Sequence, residues 1–142
     1  MTTTTIAALQ ERAYRQSAEK GFHDDEPTEG RALVSLNAER IALIHSELSE
    51  ALEELRNGRD ADETRYSLPG VPGTYPSVAH AKATHHGPNV IPKPEGVPSE
   101  MADVVIRVLD FCGANNINLE AMILEKLDYN ASRGRMHGGK KF

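Results

Sequence analysis

The 142-residue chain has no tryptophan, and its aromatic side chains are limited to four tyrosines and three phenylalanines. A core must therefore be built from Leu, Ile, Val, Ala and Met, which favours packed helices over a β-sandwich. One cysteine, Cys112, excludes an internal disulfide, and its apolar setting points to a reduced, cytoplasmic protein. There is no basic surplus: 16 Lys and Arg stand against 21 Asp and Glu, a formal net charge of -5. General affinity for nucleic-acid backbones, which depends on counterion release, is thereby disfavoured. No apolar run approaches the ~18–20 residues of a membrane span. The start, Met1-Thr2-Thr3-Thr4-Thr5, lacks the basic and apolar regions of a secretion signal. The expectation is one domain over residues 1–142 with a single core and no membrane or nucleic-acid partner.

What the chain does have is helical periodicity. Ile6, Leu9, Ala13 and Ala18 predict a helix from about Thr5 to Lys20, stopped at Gly21 and followed by the acidic loop Asp24-Asp25-Glu26-Pro27. The clearest stretch runs from Thr28 or Gly30 to Asn57, with Ile44, Leu48, Ala51 and Leu55 on one stripe and Asn57-Gly58 as its stop. Residues 58–97 then hold most of the prolines and several glycines, too many for a helix. A long irregular segment of this kind is expected to be a partly ordered flap, with room for a short hairpin. Helicity resumes near Pro98, runs through Phe111 to Gly113, and returns from Leu119 to Arg133. The tail 134–142 reads as irregular. The fold class expected is all-α: four helices with an insertion between the second and third.

Between Glu100 and Asp110 nearly every residue is apolar except Glu100, Asp103, Arg107 and Asp110. Their spacing of three, four and three puts them on one narrow stripe. A helix that is apolar on its other sides is expected to be buried on them. Glu47, Glu50 and Glu54 lie just beside the apolar stripe of the second helix. If both stripes enter one core, Glu47, Glu50, Glu100 and Asp103 gather around a small volume. Four like charges repel there unless divalent cations neutralise them. Oxygen-only ligation selects hard ions, Mg²⁺ or Mn²⁺ over Zn²⁺. The plainer reading keeps Glu-x-x-Glu on a solvated face and pairs Asp103 with Arg107 at i, i+4.

Lys126, Asn130 and Arg133, spaced four and three, share a face of the last helix and suit phosphate oxygens. An exposed face near a helix C-terminus would collect cations as well. The glycine-loosened tail, with Arg135, His137, Lys140 and Lys141, could fold over the same anion or fray.

These segments together resemble the MazG-like, all-α nucleoside triphosphate pyrophosphohydrolases, in particular small phage-type members. The residues concerned are His45-Ser46-Glu47-Leu48-Ser49-Glu50-Ala51-Leu52-Glu53, Glu100-Met101-Ala102-Asp103-Val104-Val105, and Lys126-Leu127-Asp128-Tyr129-Asn130-Ala131-Ser132-Arg133 followed by His137-Gly138-Gly139-Lys140. Glu19-Lys20-Gly21-Phe22 looks like the family's first-helix exit. The resemblance implies metal ligation and catalysis by Glu47, Glu50, Glu100 and Asp103, and substrate contacts from Lys126, Asn130, Arg133 and Lys140. It implies a four-helix MazG-like bundle, a dimer or tetramer with shared sites, and cleavage of a (deoxy)nucleoside triphosphate to monophosphate and pyrophosphate with Mg²⁺ or Mn²⁺. A purine substrate such as dGTP or dATP, in a role controlling nucleotide pools, follows from the phage relatives.

Two departures stand out. Ser46 occupies a place where the family often carries an acid, a loss that Glu54 could compensate, and the gap between the acidic motifs is long. Metal-assisted hydrolysis leaves Glu50 or Glu54 as the proton acceptor. Candidates for the base pocket are Gln10, Tyr14, Phe22 and His23, together with the flap at 58–97. A zinc site at His80, His85 and His86 lacks a Cys or acid at ligand spacing. Rival functions are dUTP or phosphoribosyl-ATP pyrophosphohydrolysis, and a non-catalytic helical oligomerisation or regulatory module. A ferritin-like di-iron site expects Glu-x-x-His, whereas Glu50 and Asp103 stand at those positions.

Overall fold

The computed structural model describes residues 3–84 and 89–135. Helix α1 spans Ile6–Glu19 and opens on Thr5, whose hydroxyl accepts from the Ala8 N–H at 3.1 Å. Helix α2 is the longest element, Gly30–Arg56. Strands β1 (Arg65–Leu68) and β2 (Val71–Tyr75) follow, then helix α3 (Val78–Thr84), strand β3 (Lys93–Glu95), helix α4 (Val97–Ala114) and helix α5 (Leu119–Ser132). Asn118 caps α5 by accepting from the Ala121 N–H at 3.0 Å.

The four helices expected from periodicity are present within a residue or two of their predicted ends, and the chain is mostly helical. It is not all-α. The insertion folds into a three-stranded antiparallel sheet of order β2-β1-β3, plus one short helix. Leu68 pairs with Val71 across Pro69-Gly70, and Gly70 takes φ 72°, as position three of such a turn requires. The proline density that argued against any helix there leaves 77–84 untouched. Ser77 follows Pro76 and caps the alanine-rich turn of α3, its hydroxyl accepting from the His80 N–H at 3.2 Å. α3 then packs on β1 and β2, with Ala81 buried.

The chain divides into two compact units. One is contiguous, Pro27–Val108. The other combines Met1–Glu26 with Leu109–Phe142, so α4 contributes its first part to one and its last residues to the other. In the contiguous unit Ala51, Leu68, Ala81 and Val97 are buried; in the other, Ala13, Leu109 and Cys112.

The burial expected for the helix at 97–114 is corrected in part. Met101, Val105 and Ile106 are 40–50 % exposed, as are Leu48 and Leu55 on the expected core stripe of α2. Apolar periodicity shows which face avoids water, not what covers it. No described helix is long and apolar enough to cross a membrane.

Candidate metal centre

Three of the four expected carboxylates meet within the contiguous unit. One oxygen each from Glu47, Glu50 and Glu100 lie within 4.8 Å of one another. Glu47 and Glu100 are both 7 % exposed, while Glu50 is exposed. Glu47 and Glu50 sit one turn apart on α2; Glu100 stands in the first turn of α4.

Gly96 fixes how α4 begins. Its φ is 108°, and a Cβ there would run into the Glu63 carbonyl oxygen. Its own carbonyl accepts from the N–H groups of Ser99, at 2.9 Å, and Glu100, at 3.1 Å. Ser99 also donates its hydroxyl to the Pro94 carbonyl at 3.0 Å. β3 and Glu100 are thus joined by a tightly bonded turn.

The electrostatics follow from burial. Glu100 is held above the usual carboxylate range, first by loss of hydration and then by Glu50, Asp103 and Glu47, with Lys93 pulling it back. A divalent cation among these oxygens would relieve both costs. Oxygen-only donors from carboxylates fit a hard ion.

Asp103 is exposed and stands outside the trio. It does not pair with Arg107, whose Nε donates to Glu47 Oε1 at 2.6 Å. The single charged stripe of α4 is therefore divided among tasks. Glu100 joins the trio, Arg107 bridges to α2, and Asp110 accepts from His23 Nε2 at 2.7 Å and from the Ser17 hydroxyl at 3.0 Å.

Glu54, one of two candidate proton acceptors, has a different task. Arg65 of β1 grips it with two hydrogen bonds, 2.7 and 2.8 Å. This pairing holds the Glu54 carboxyl below its ordinary range and so makes it a poor base. The bond also straps the sheet to α2. Because Glu54 is a stronger acid folded than unfolded, its contribution is present above the ordinary carboxylate value and is lost as pH falls through the lowered folded value. Glu54→Gln should cost about 2 kcal/mol at neutral pH. Thermal melts of variant and parent should converge as pH falls through that window; parallel melts throughout would contradict the strap.

Lys93 was not among the expected site residues, since nothing in a proline-rich segment gives it a helical partner. Its ammonium donates to Glu95 Oε2 at 3.2 Å, and Ser67 donates to Glu95 Oε1 at 2.8 Å. The Glu95 hydrogen bond, with the charges of Glu95, Glu100 and Glu50, holds Lys93 protonated to higher pH than usual.

The expected phosphate residues belong to the other unit. Lys126 Nζ lies 5.1 Å, and the Arg133 guanidinium 5.9 Å, from the centre of the Tyr129 ring. Arg133 sits just past the end of α5 in extended backbone, and Asn130 is exposed in its last turn. Lys140 and His137 lie outside the described residues, as do His85 and His86; His80 joins the α3 cap through Ser77. Of the base-pocket candidates, Gln10 and Tyr14 line a cavity of about 370 Å³ with Ala7, Glu11, Asn116 and Asn118. Phe22 is 75 % exposed, while His23 is clasped between Asp110 and Glu26, the latter at 2.5 Å.

No family model matches the chain, and comparisons with curated proteins and with solved structures give no significant match.

Proposed function

We propose that the chain is a metal-dependent nucleoside triphosphate pyrophosphohydrolase of the MazG-like kind, acting in the cytoplasm on a purine deoxynucleotide such as dGTP or dATP. The observation that carries this reading is the convergence of Glu47, Glu50 and Glu100, two of them buried. Arg107 offsets the charge of Glu47, but Glu100 has no such ion pair at hydrogen-bond distance among the described residues, and a divalent cation would lower the cost of burying it beside two other acids.

Glu47, Glu50 and Glu100 would hold Mg²⁺ or Mn²⁺, with Asp103 reaching in from the next turn of α4. The bound ion supplies an acidified water and neutralises phosphate charge. Glu50, exposed and so the least committed of the three ligands, would take the proton from the attacking water. Arg107 orients Glu47 through its 2.6 Å hydrogen bond. Lys126, Asn130 and Arg133 are the proposed contacts to phosphate oxygens. A dimer or tetramer is supported by the uncovered stripe Leu48, Leu52 and Leu55, spaced four and three on α2.

The test is a panel of (d)NTPs with Mg²⁺ or Mn²⁺, assayed for both products. The expected result is equal release of monophosphate and pyrophosphate, abolished by EDTA and fastest with a purine deoxynucleotide. No turnover with any triphosphate would leave the helical oligomerisation module as the better account.

A further inference from the structure

The insertion looks from sequence like a flap appended to a helical site, but its last strand ends five residues before α4's first-turn acid. β3 begins at Lys93, is paired to β1 through Ser67, and passes by the Gly96 turn directly into the helix that carries Glu100. β1 is itself fixed to α2 by the two Arg65–Glu54 hydrogen bonds, one turn beyond Glu50. Lys93 is therefore tied from both directions to the elements that carry the carboxylates.

We propose that Lys93 is a phosphate-binding residue of the carboxylate site, delivered by the insertion. This rests on the metal-and-phosphate reading given above and adds a residue that reading did not contain. Its geometry suits the task. The Lys93 side chain is 70 % exposed, and its ion pair with Glu95, at 3.2 Å, is of the solvated kind that exchanges readily for a better anion. Ser67 continues to hold Glu95 when the ammonium leaves. The charges of Glu100 and Glu50 both bear on the Lys93 ammonium, as the connection through β3 and the Gly96 turn leads one to expect. Arg107 is already engaged with Glu47, which leaves Lys93 the more available cation of the two. The ligand class is an oligophosphate carrying a divalent ion, because a bare anion would meet the repulsion of three acids.

The test uses the full chain and two titrations, Mn²⁺ alone and magnesium tripolyphosphate, for the parent, Lys93→Gln and Lys93→Arg. The expected result is about tenfold weaker tripolyphosphate binding in Lys93→Gln, with recovery in Lys93→Arg. Mn²⁺ binding should stay equal or tighten, since a neighbouring positive charge is gone. A merely structural Lys93 predicts the opposite pattern, with Mn²⁺ and tripolyphosphate weakened alike and a lowered melting temperature, and that result overturns the proposal. Unchanged tripolyphosphate binding in Lys93→Gln, beside normal Mn²⁺ binding, overturns it as well. A parent chain that binds no Mn²⁺ overturns the metal reading itself.

Discussion

Glu100→Gln is expected to lose metal-dependent hydrolysis by more than about a hundredfold, since disturbing even the outer partners of metal ligands costs ~10–100-fold. The same variant should melt higher than the parent in EDTA at neutral pH. Glu100 is buried at 7 % exposure and faces Glu50 and Glu47, so its ionised form is disfavoured in the folded chain. An acid whose folded value is raised costs stability above that value and nothing below the unfolded one. Glutamine keeps the shape and cannot ionise. The two curves should therefore differ at neutral pH and merge in acid. Adding Mg²⁺ at a hundred times its Kd should stabilise the parent by about 2.7 kcal/mol and the variant by much less. A variant that hydrolyses normally would remove Glu100 from the site. One that melts lower in EDTA would show that the carboxylate is held for packing.

Gly96→Ala is the second large effect, and it is one of backbone. At φ 108° an L side chain is strained, and the added Cβ would collide with the Glu63 carbonyl oxygen, which cannot swing aside as a side chain can. The loss should be at least about 3 kcal/mol, a large share of the ~5–15 kcal/mol that holds a domain together. Gly58→Ala is the control. Its φ is 78° but its Cβ would meet nothing within 4 Å, so only the conformational part, about 1 kcal/mol, applies. Chemical denaturation of both variants separates the two contributions. Equal midpoints would mean that the Gly96 turn yields at no cost.

Much of the helical frame was legible in the residues because the signals were local. Thr5, Gly21, Asn57-Gly58 and Pro98 mark ends by their own conformational preferences, and they hold within a residue or two. The sheet was not legible. Its strands have three to five residues, two of them contain proline, and their pairing joins 65–67 to 93–95. Ser77 is a readable cap, but the seven residues of Val78–Thr84 between Pro76 and Pro88 are too few for apolar periodicity to mark a helix. Glu47, Glu50 and Glu100 could be placed together from two periodicities. The engagement of Glu54 could not, since its partner Arg65 lies eleven residues on, in a segment without period. Asp103 shows the limit of stripe reasoning. A shared face on α4 does not compel a shared task, because each turn meets different neighbours.

The division of the chain has a consequence for its synthesis. Residues 27–108 form a unit from one unbroken stretch, whereas Met1–Glu26 has its companions beyond Leu109. As the chain leaves the ribosome, the carboxylate-bearing half can take shape while the first helix waits for partners not yet made. α1 should therefore be the last of the early segments to gain protection from hydrogen exchange, and the first to lose it when α5 is truncated. A helix made early would then be among the last parts of the molecule to settle.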